Sequence, residues 1–214
     1  MSGMRTLIVT GATGGLGTEV VRHLRDAYEV VALYRSEAPP DVRGVQADLT
    51  DPASVRNAVQ SIAAPYGLVH LAGGFAPGSI AETTDETWKK MLELNLTSAF
   101  VAIRETLAVM DRNAPGRILV ISSDAARAKA PGSVAYTVAK SGLNVLIELL
   151  AKELKGTAIT ANALMPSALD TPAMRGEMPR EKLVPLDRVA ATLTFLLSDS
   201  GANINGALIP LTAR

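Results

Sequence analysis

Short apolar runs alternate along this chain with longer stretches in which apolar residues return every three or four positions. The first run is Leu7 to Val9; Gly11 to Gly17 then supplies four glycines, after which Leu16, Val20, Val21 and Leu24 recur at helical spacing. That order predicts strand, tight turn and helix. Glu29 to Tyr34 and the weaker Gly44 to Ala47 predict two further strands. Asp51 before Pro52 matches a capping side chain followed by proline at the first helical position, and predicts a helix to about Ala63. Gly67 to Leu71 is a fourth strand, Thr84 to Arg112 a long helical stretch broken into two near Asn95, and Arg117 to Ile121 a fifth strand. Tyr136 to Leu154 is a strong helix with Leu143, Leu146, Ile147, Leu150 and Leu154 on one side. Ala158 to Leu164, Asp187 to Leu197 and Ala207 to Leu211 follow as strand, helix and strand.

Strands that are apolar on both faces and alternate with helices predict an α/β fold, a doubly wound parallel sheet with helices on both faces. No repeat, linker or low-complexity tract divides the chain, so residues 1–214 are expected to be a single domain. Met165 to Pro185 departs from the pattern: four prolines and three methionines suit a partly ordered, apolar flap. Trp88 is expected to pack its helix onto the core.

Composition narrows the function. The chain's 214 residues suffice to bury a core without a disulfide or metal staple. With no cysteine and two histidines, thiol chemistry and Cys/His zinc sites are excluded, and no metal site is expected. Lys plus Arg and Asp plus Glu both number 21, so no net field draws the protein to nucleic acid or anionic lipid. Asn57 to Ala81 carries no charged residue, but Pro65, Gly67, Gly73, Gly74, Pro77 and Gly78 break it, and it is not expected to span a membrane. The apolar run after Arg5 is too short for a signal-peptide core. A cytoplasmic protein acting on a small molecule is the expectation.

The turn holding Gly11, Thr13, Gly15, Leu16 and Gly17 offers chemistry. Glycines at 11, 15 and 17 permit a tight turn, close approach of backbone to a pyrophosphate and close packing of helix on strand. The helix N-terminus presents free N–H groups and a partial positive charge to phosphate. A plain structural turn has the same composition; the strand before it and the helix after it favour a dinucleotide site. After the second strand, Tyr34 is followed by Arg35 and Ser36 rather than by a carboxylate that would repel a 2′-phosphate, which favours NADP(H) over NAD(H). An exposed surface arginine also fits Arg35. Asp48, after the third strand, suits either an adenine contact or a turn.

Tyr136 and Lys140 lie four apart on a predicted helix and share a face. A neighbouring ammonium is expected to lower the tyrosine pKa and make the phenol a usable proton donor and acceptor. Ser123 ends the fifth strand, so all three fall beyond the strand C-termini, where open α/β sheets bind ligands. With these residues in place the chain resembles the short-chain dehydrogenase/reductase family, from Thr6 to about Gly206, through Thr10 to Gly17, Asp48, Ala72-Gly73, Asn95, Ser123, Tyr136 with Lys140, and Pro166 to Thr171. The resemblance implies an NAD(P)-dependent oxidoreductase on a Rossmann-like sheet of about seven strands. It implies that Tyr136 is the acid/base, that Ser123 orients the substrate carbonyl, that Lys140 holds the nicotinamide ribose and that Asn95 positions a water. It also implies cofactor contacts from Asp48, Leu49, Ala72, Gly73, Pro166, Leu169 and Thr171.

The chain departs from the family pattern in places. His70 and Leu71 stand where two asparagines are usual, Ser167 where glycine follows Pro166, and Gly14 where many NADP-dependent members carry a basic residue. His70 is either a buried strand residue or an extra proton carrier. Leu169-Asp170-Thr171-Pro172, Arg175 and Met178-Pro179 look similar to the dihydropteridine reductase branch, so a pterin reductase is one alternative. A non-catalytic NADP-binding sensor is another, since fold does not fix function. The family's habit of pairing the helices equivalent to Thr97–Met110 and Tyr136–Leu154 implies a homodimer or homotetramer. Arg127 and Lys129 suit attraction of an anionic substrate or a solvated loop.

Overall fold

The computed structural model describes residues 3–129 and 131–213. Its seven strands are β1 (Arg5–Thr10), β2 (Tyr28–Tyr34), β3 (Arg43–Gln46), β4 (Gly67–His70), β5 (Gly116–Ile121), β6 (Ile159–Pro166) and β7 (Leu208–Leu211). All pair in parallel, in the order β3-β2-β1-β4-β5-β6-β7. The alternation of side chains along each strand splits the core in two. Leu7 and Val9 of β1 face α1 (Gly15–Leu24) and α8 (Leu186–Leu197), while Ile8 faces α2 (Pro52–Gln60), α4 (Ser98–Val109) and α6 (Val134–Glu153). This is the parallel sheet covered on both faces that the apolar runs predict, and the Rossmann-like sheet of seven strands that the family resemblance implies.

Local chemistry sets the helix bounds. The inward side of α1 is Leu16, Val20, Val21 and Leu24, the positions picked out by their spacing. Asp51 accepts from Ala53 N–H at 2.9 Å with Pro52 at the first helical position, as the cap signal predicts. The helix nevertheless stops at Gln60, short of Ala63, because Ser61 turns its hydroxyl onto Ala58 O at 2.7 Å and Ala64 takes a left-handed φ of 36°. Helix α6 is long and apolar enough to cross a bilayer by length and composition alone. Its inward side, including Leu143, Ile147 and Leu150, is packed in the core.

Three further expectations are corrected. The stretch around Asn95 does not break: α3 (Asp85–Leu92) runs into α4 through one π turn, Glu93–Thr97. One extra residue in the turn keeps the helix continuous while re-aiming its side chains. Trp88 remains 37% exposed because Met91, 2% exposed, takes the inward place on α3. The flap is shorter than Met165 to Pro185, since Met165 and Pro166 belong to β6. It holds the short helix α7 (Pro172–Arg175) and a 3₁₀ turn, Arg180–Lys182, and its far end, Leu183 and Val184, is buried. A four-residue helix that the sequence does not signal, α5 (Ala125–Ala128), follows β5.

Candidate active site

Strand β1 has β2 on one side and β4 on the other, so the winding reverses there and a crevice opens at the C-terminal ends of β1 and β4. The glycine turn lies across it. Gly11 has φ of 68°, and a Cβ there would stand 2.7 Å from Ala72 N. A Cβ on Gly17 would collide with Gly11 O, so turn and helix pack backbone on backbone. No side chain caps the N-terminus of α1, which leaves its first amides to a ligand.

A cleft of about 370 Å³ runs along this crevice, and among the residues expected at the cofactor Gly11, Thr13, Arg35, Asp48, Leu49, Ala72 and Gly73 line it. Glu37 lines it too, three residues beyond β2, together with Ser36, Leu33 and Ser98. The acidic group missing from Arg35 and Ser36 is therefore supplied by Glu37, brought in by the turn after the strand. Asp48 does serve as a turn residue: its Oδ1 accepts from Thr50 N–H at 2.9 Å and from the Thr50 hydroxyl at 2.7 Å. Those bonds, helped by Arg35, hold its carboxyl below the usual range.

The remaining predicted contacts divide. The Thr171 methyl is 3.4 Å from where a Gly15 Cβ would lie, which puts Thr171 beside the helix N-terminus. The Leu16 side chain packs in the core, so only its backbone is available. Pro166 and Leu169 lie outside the cleft lining. Pro166 O accepts from Asp124 N–H at 3.0 Å, and Leu169 pairs with Val184 at the base of the flap.

Ser123, Tyr136, Lys140 and Asn95 meet beyond β4 and β5. Ser123 Oγ accepts from Ala125 N–H at 3.2 Å, the first amide of α5, and stands near enough to the Tyr136 phenol to act on its pKa. One turn along α6, Lys140 is 4% exposed and its Nζ donates to Ile121 O at 2.8 Å. The Gly73 backbone faces both groups beside it, a Cβ there falling 2.7 Å from Asn95 Oδ1 and 3.4 Å from Lys140 Nζ. Asn95 itself clasps the next residue, accepting from Gly74 N–H at 3.1 Å and donating to Gly74 O at 2.9 Å.

The electrostatics correct one expectation. Burial raises the Tyr136 phenol above its ordinary value and the Ser123 hydrogen bond only partly opposes it. Lys140 does not pull it down: its ammonium lies 5.9 Å from the ring centroid and is turned onto a carbonyl. Burial pushes Lys140 itself down to about 8. His70 is 1% exposed, and burial with Lys140 nearby holds it neutral with a pKa of about 3, which excludes it as a proton carrier near neutral pH. It is the buried strand residue of the two alternatives, with Nδ1 2.9 Å from Thr10 Oγ1. Arg127 pairs with Asp124 at 2.7 Å, while Lys129 in the same loop is exposed.

These residues fit a nicotinamide dinucleotide. An uncapped helix end matches a pyrophosphate, and a buried ammonium with one protein acceptor among the described residues matches ribose hydroxyls. The family model for short chain dehydrogenase matches residues 5–182. A short-chain type dehydrogenase/reductase from Picea abies is 29% identical, with 97% of this chain and 90% of that protein covered. The 3-oxoacyl-[acyl-carrier-protein] reductase MabA of Mycobacterium tuberculosis is 30% identical over 97% of this chain and 91% of that one. A solved oxidoreductase of the same family from Burkholderia thailandensis superposes with a TM-score of 0.88 at 32% identity, covering 98% of this chain and 91% of that one. Glycine turn, serine, tyrosine and lysine thus sit on a sheet shared with these relatives, and the chain belongs to the short-chain dehydrogenase/reductase family of NAD(P)-dependent oxidoreductases.

Proposed function

We propose that the protein reduces the carbonyl of a small molecule, or oxidises the matching alcohol, with NADP(H) preferred. The observation that carries this is Lys140, one turn along α6 from Tyr136, with its Nζ 3.4 Å from where a Cβ on Gly73 of the cleft lining would stand, and with Ser123 acting on the Tyr136 phenol. When bound, the cofactor supplies or accepts the hydride. Tyr136 holds the proton that the carbonyl oxygen needs, and its raised pKa keeps that proton on the phenol at neutral pH. Ser123 donates a second hydrogen bond to the same oxygen, where negative charge develops. Lys140 holds the ribose hydroxyls, and Asn95 fixes the Gly73-Gly74 backbone against which the substrate lies.

Arg35 supports NADP(H), because its guanidinium on the cleft wall suits a 2′-phosphate. Glu37 on the same wall opposes that preference, and Ser36 between them adds a hydroxyl. The segment from Ser167 to Pro185 covers the substrate side, and its closure would exclude water from the reacting atoms. Exposed Phe100 on α4 and Val138, Val145 and Leu149 on α6 form an apolar face that suits a second copy of the chain, so a homodimer or homotetramer in the cytoplasm is the assembly we assign.

The test is a turnover screen of ketones, aldehydes, β-ketoacyl thioesters and a quinonoid pterin, each with NADPH and NADH. Reduction of carbonyls with NADPH the better donor is the expected result. Turnover confined to the pterin, or binding of cofactor with no turnover of any substrate, overturns it.

A further inference from the structure

Phe75 is 66% exposed, yet its ring meets that of Tyr136 edge to face, with centroids 5.1 Å apart and planes at 77°. Both ends of its loop are tied down. On one side Asn95 clasps the N–H and C=O of Gly74. On the other, Gly78 N–H donates to Gly132 O at 2.8 Å and Gly78 O accepts from Val134 N–H at 3.0 Å, at the first residue of the helix that carries Tyr136. The ring is thus held in place by backbone bonds rather than by burial, with one part on the phenol and the rest turned to solvent.

We propose that Phe75 determines substrate specificity, forming a flat aromatic wall that favours carbonyls bearing a conjugated or aromatic ring over saturated carbonyls of the same size. This rests on the carbonyl-reductase reading above. A carbonyl oxygen held by the Tyr136 hydroxyl brings the substituents of its carbon alongside the free part of the Phe75 ring. Aromatic groups gain from edge-to-face or offset contact beyond the area they bury, and saturated rings do not. Of the two cations in the loop after Ser123, Arg127 is paired with Asp124.

The experiment compares acetophenone with cyclohexyl methyl ketone as substrates of the wild type, Phe75→Leu and Phe75→Tyr. The ratio of kcat/KM for the phenyl over the cyclohexyl ketone is expected to fall roughly three- to ten-fold in Phe75→Leu, the size of a lost aromatic contact, and to stay within about two-fold of wild type in Phe75→Tyr. Saturation-transfer NMR on the dead-end complex with NADP+ and acetophenone should show transfer to the phenyl protons that drops in Phe75→Leu. Thermal melting checks that each variant is folded, and Phe75→Met carries the same comparison should leucine fail. An unchanged ratio in a folded Phe75→Leu overturns the inference and leaves the carbonyl-reductase reading standing. A wild type that turns over carbonyls in neither direction overturns that reading first.

Discussion

The cleft at the ends of β1 and β4 and the segment from Ser167 to Pro185, whose Thr171 lies beside Gly15, are held by different forces. The cleft is set by backbone against backbone: Gly11 against Ala72, Gly17 against Gly11, and strands in parallel register. The flap is closed at its base by Val184 N–H on Ala168 O at 2.7 Å and Asp170 N–H on Val184 O at 2.9 Å, and gripped within by charge. Asp170, its side chain 8% exposed, accepts from Arg175 Nε at 2.5 Å and Arg180 Nε at 3.0 Å. Close backbone packing has no titratable or screenable component, whereas an ion pair has both. The part that would meet a cofactor common to many enzymes is fixed by geometry. The part that would meet a particular substrate is held by a contact that conditions can loosen.

Four changes test this contrast. The largest effect is expected outside both regions, at the phenol: Tyr136→Phe should lower kcat by about 10² to 10⁴ while cofactor affinity, measured by fluorescence titration, stays within about three-fold. Near-normal kcat would remove the phenol from proton transfer. On the cleft side, Gly17→Val forces a side chain into the Gly11 carbonyl and should lower stability by about 3 kcal/mol in urea denaturation. A variant as stable as wild type would mean that the turn can shift. Arg35→Ala should weaken NADPH binding by about 1.5–3 kcal/mol and NADH binding far less. Equal losses would make Arg35 a surface residue and leave Glu37 the dominant group.

The smallest effect belongs to the flap. Bonds from Arg175 and then Arg180 hold the Asp170 carboxyl below its ordinary range. Its contribution is therefore complete at neutral pH and is lost only as pH falls through that lowered value. Proteolytic nicking between Asp170 and Val184, probed with a protease active across the range, should be flat from about pH 8 to 5 and rise below about pH 4. Asp170→Asn should show the faster nicking already at pH 7. Nicking that rises between pH 8 and 5 would point to a different titrating group.

Much of this was legible along the chain because its signals are local. Strand-turn-helix at Leu7 to Leu24 follows from hydrophobic period and glycine spacing, and Tyr136 with Lys140 from the pitch of a helix. Glu37 escapes such reasoning, since it enters the cleft only through the path of the turn after Tyr34. Trp88 loses its inward place to Met91, a choice made by how α3 sits rather than by its apolar residues. The rise in the Tyr136 pKa depends on burial, which spacing cannot report. Phe75 lies in a loop with no period at all, and its contact with Tyr136 needs Gly78 to be pinned to Gly132.

The π turn at Glu93–Thr97 acts as a phase shifter. An α-helix advances about 100° per residue, so one surplus residue rotates everything after it by that angle relative to everything before it. Asn95 can thus point at Gly74 while Ala99, Ala102 and Ile103 still face the sheet on the far side of the turn. Length in this helix is consequently quantised: removing any single residue between Met91 and Ser98 would restore an unbroken α-helix and swing the Gly74 clasp or the core-facing stripe out of alignment, a change that no substitution within the turn could imitate.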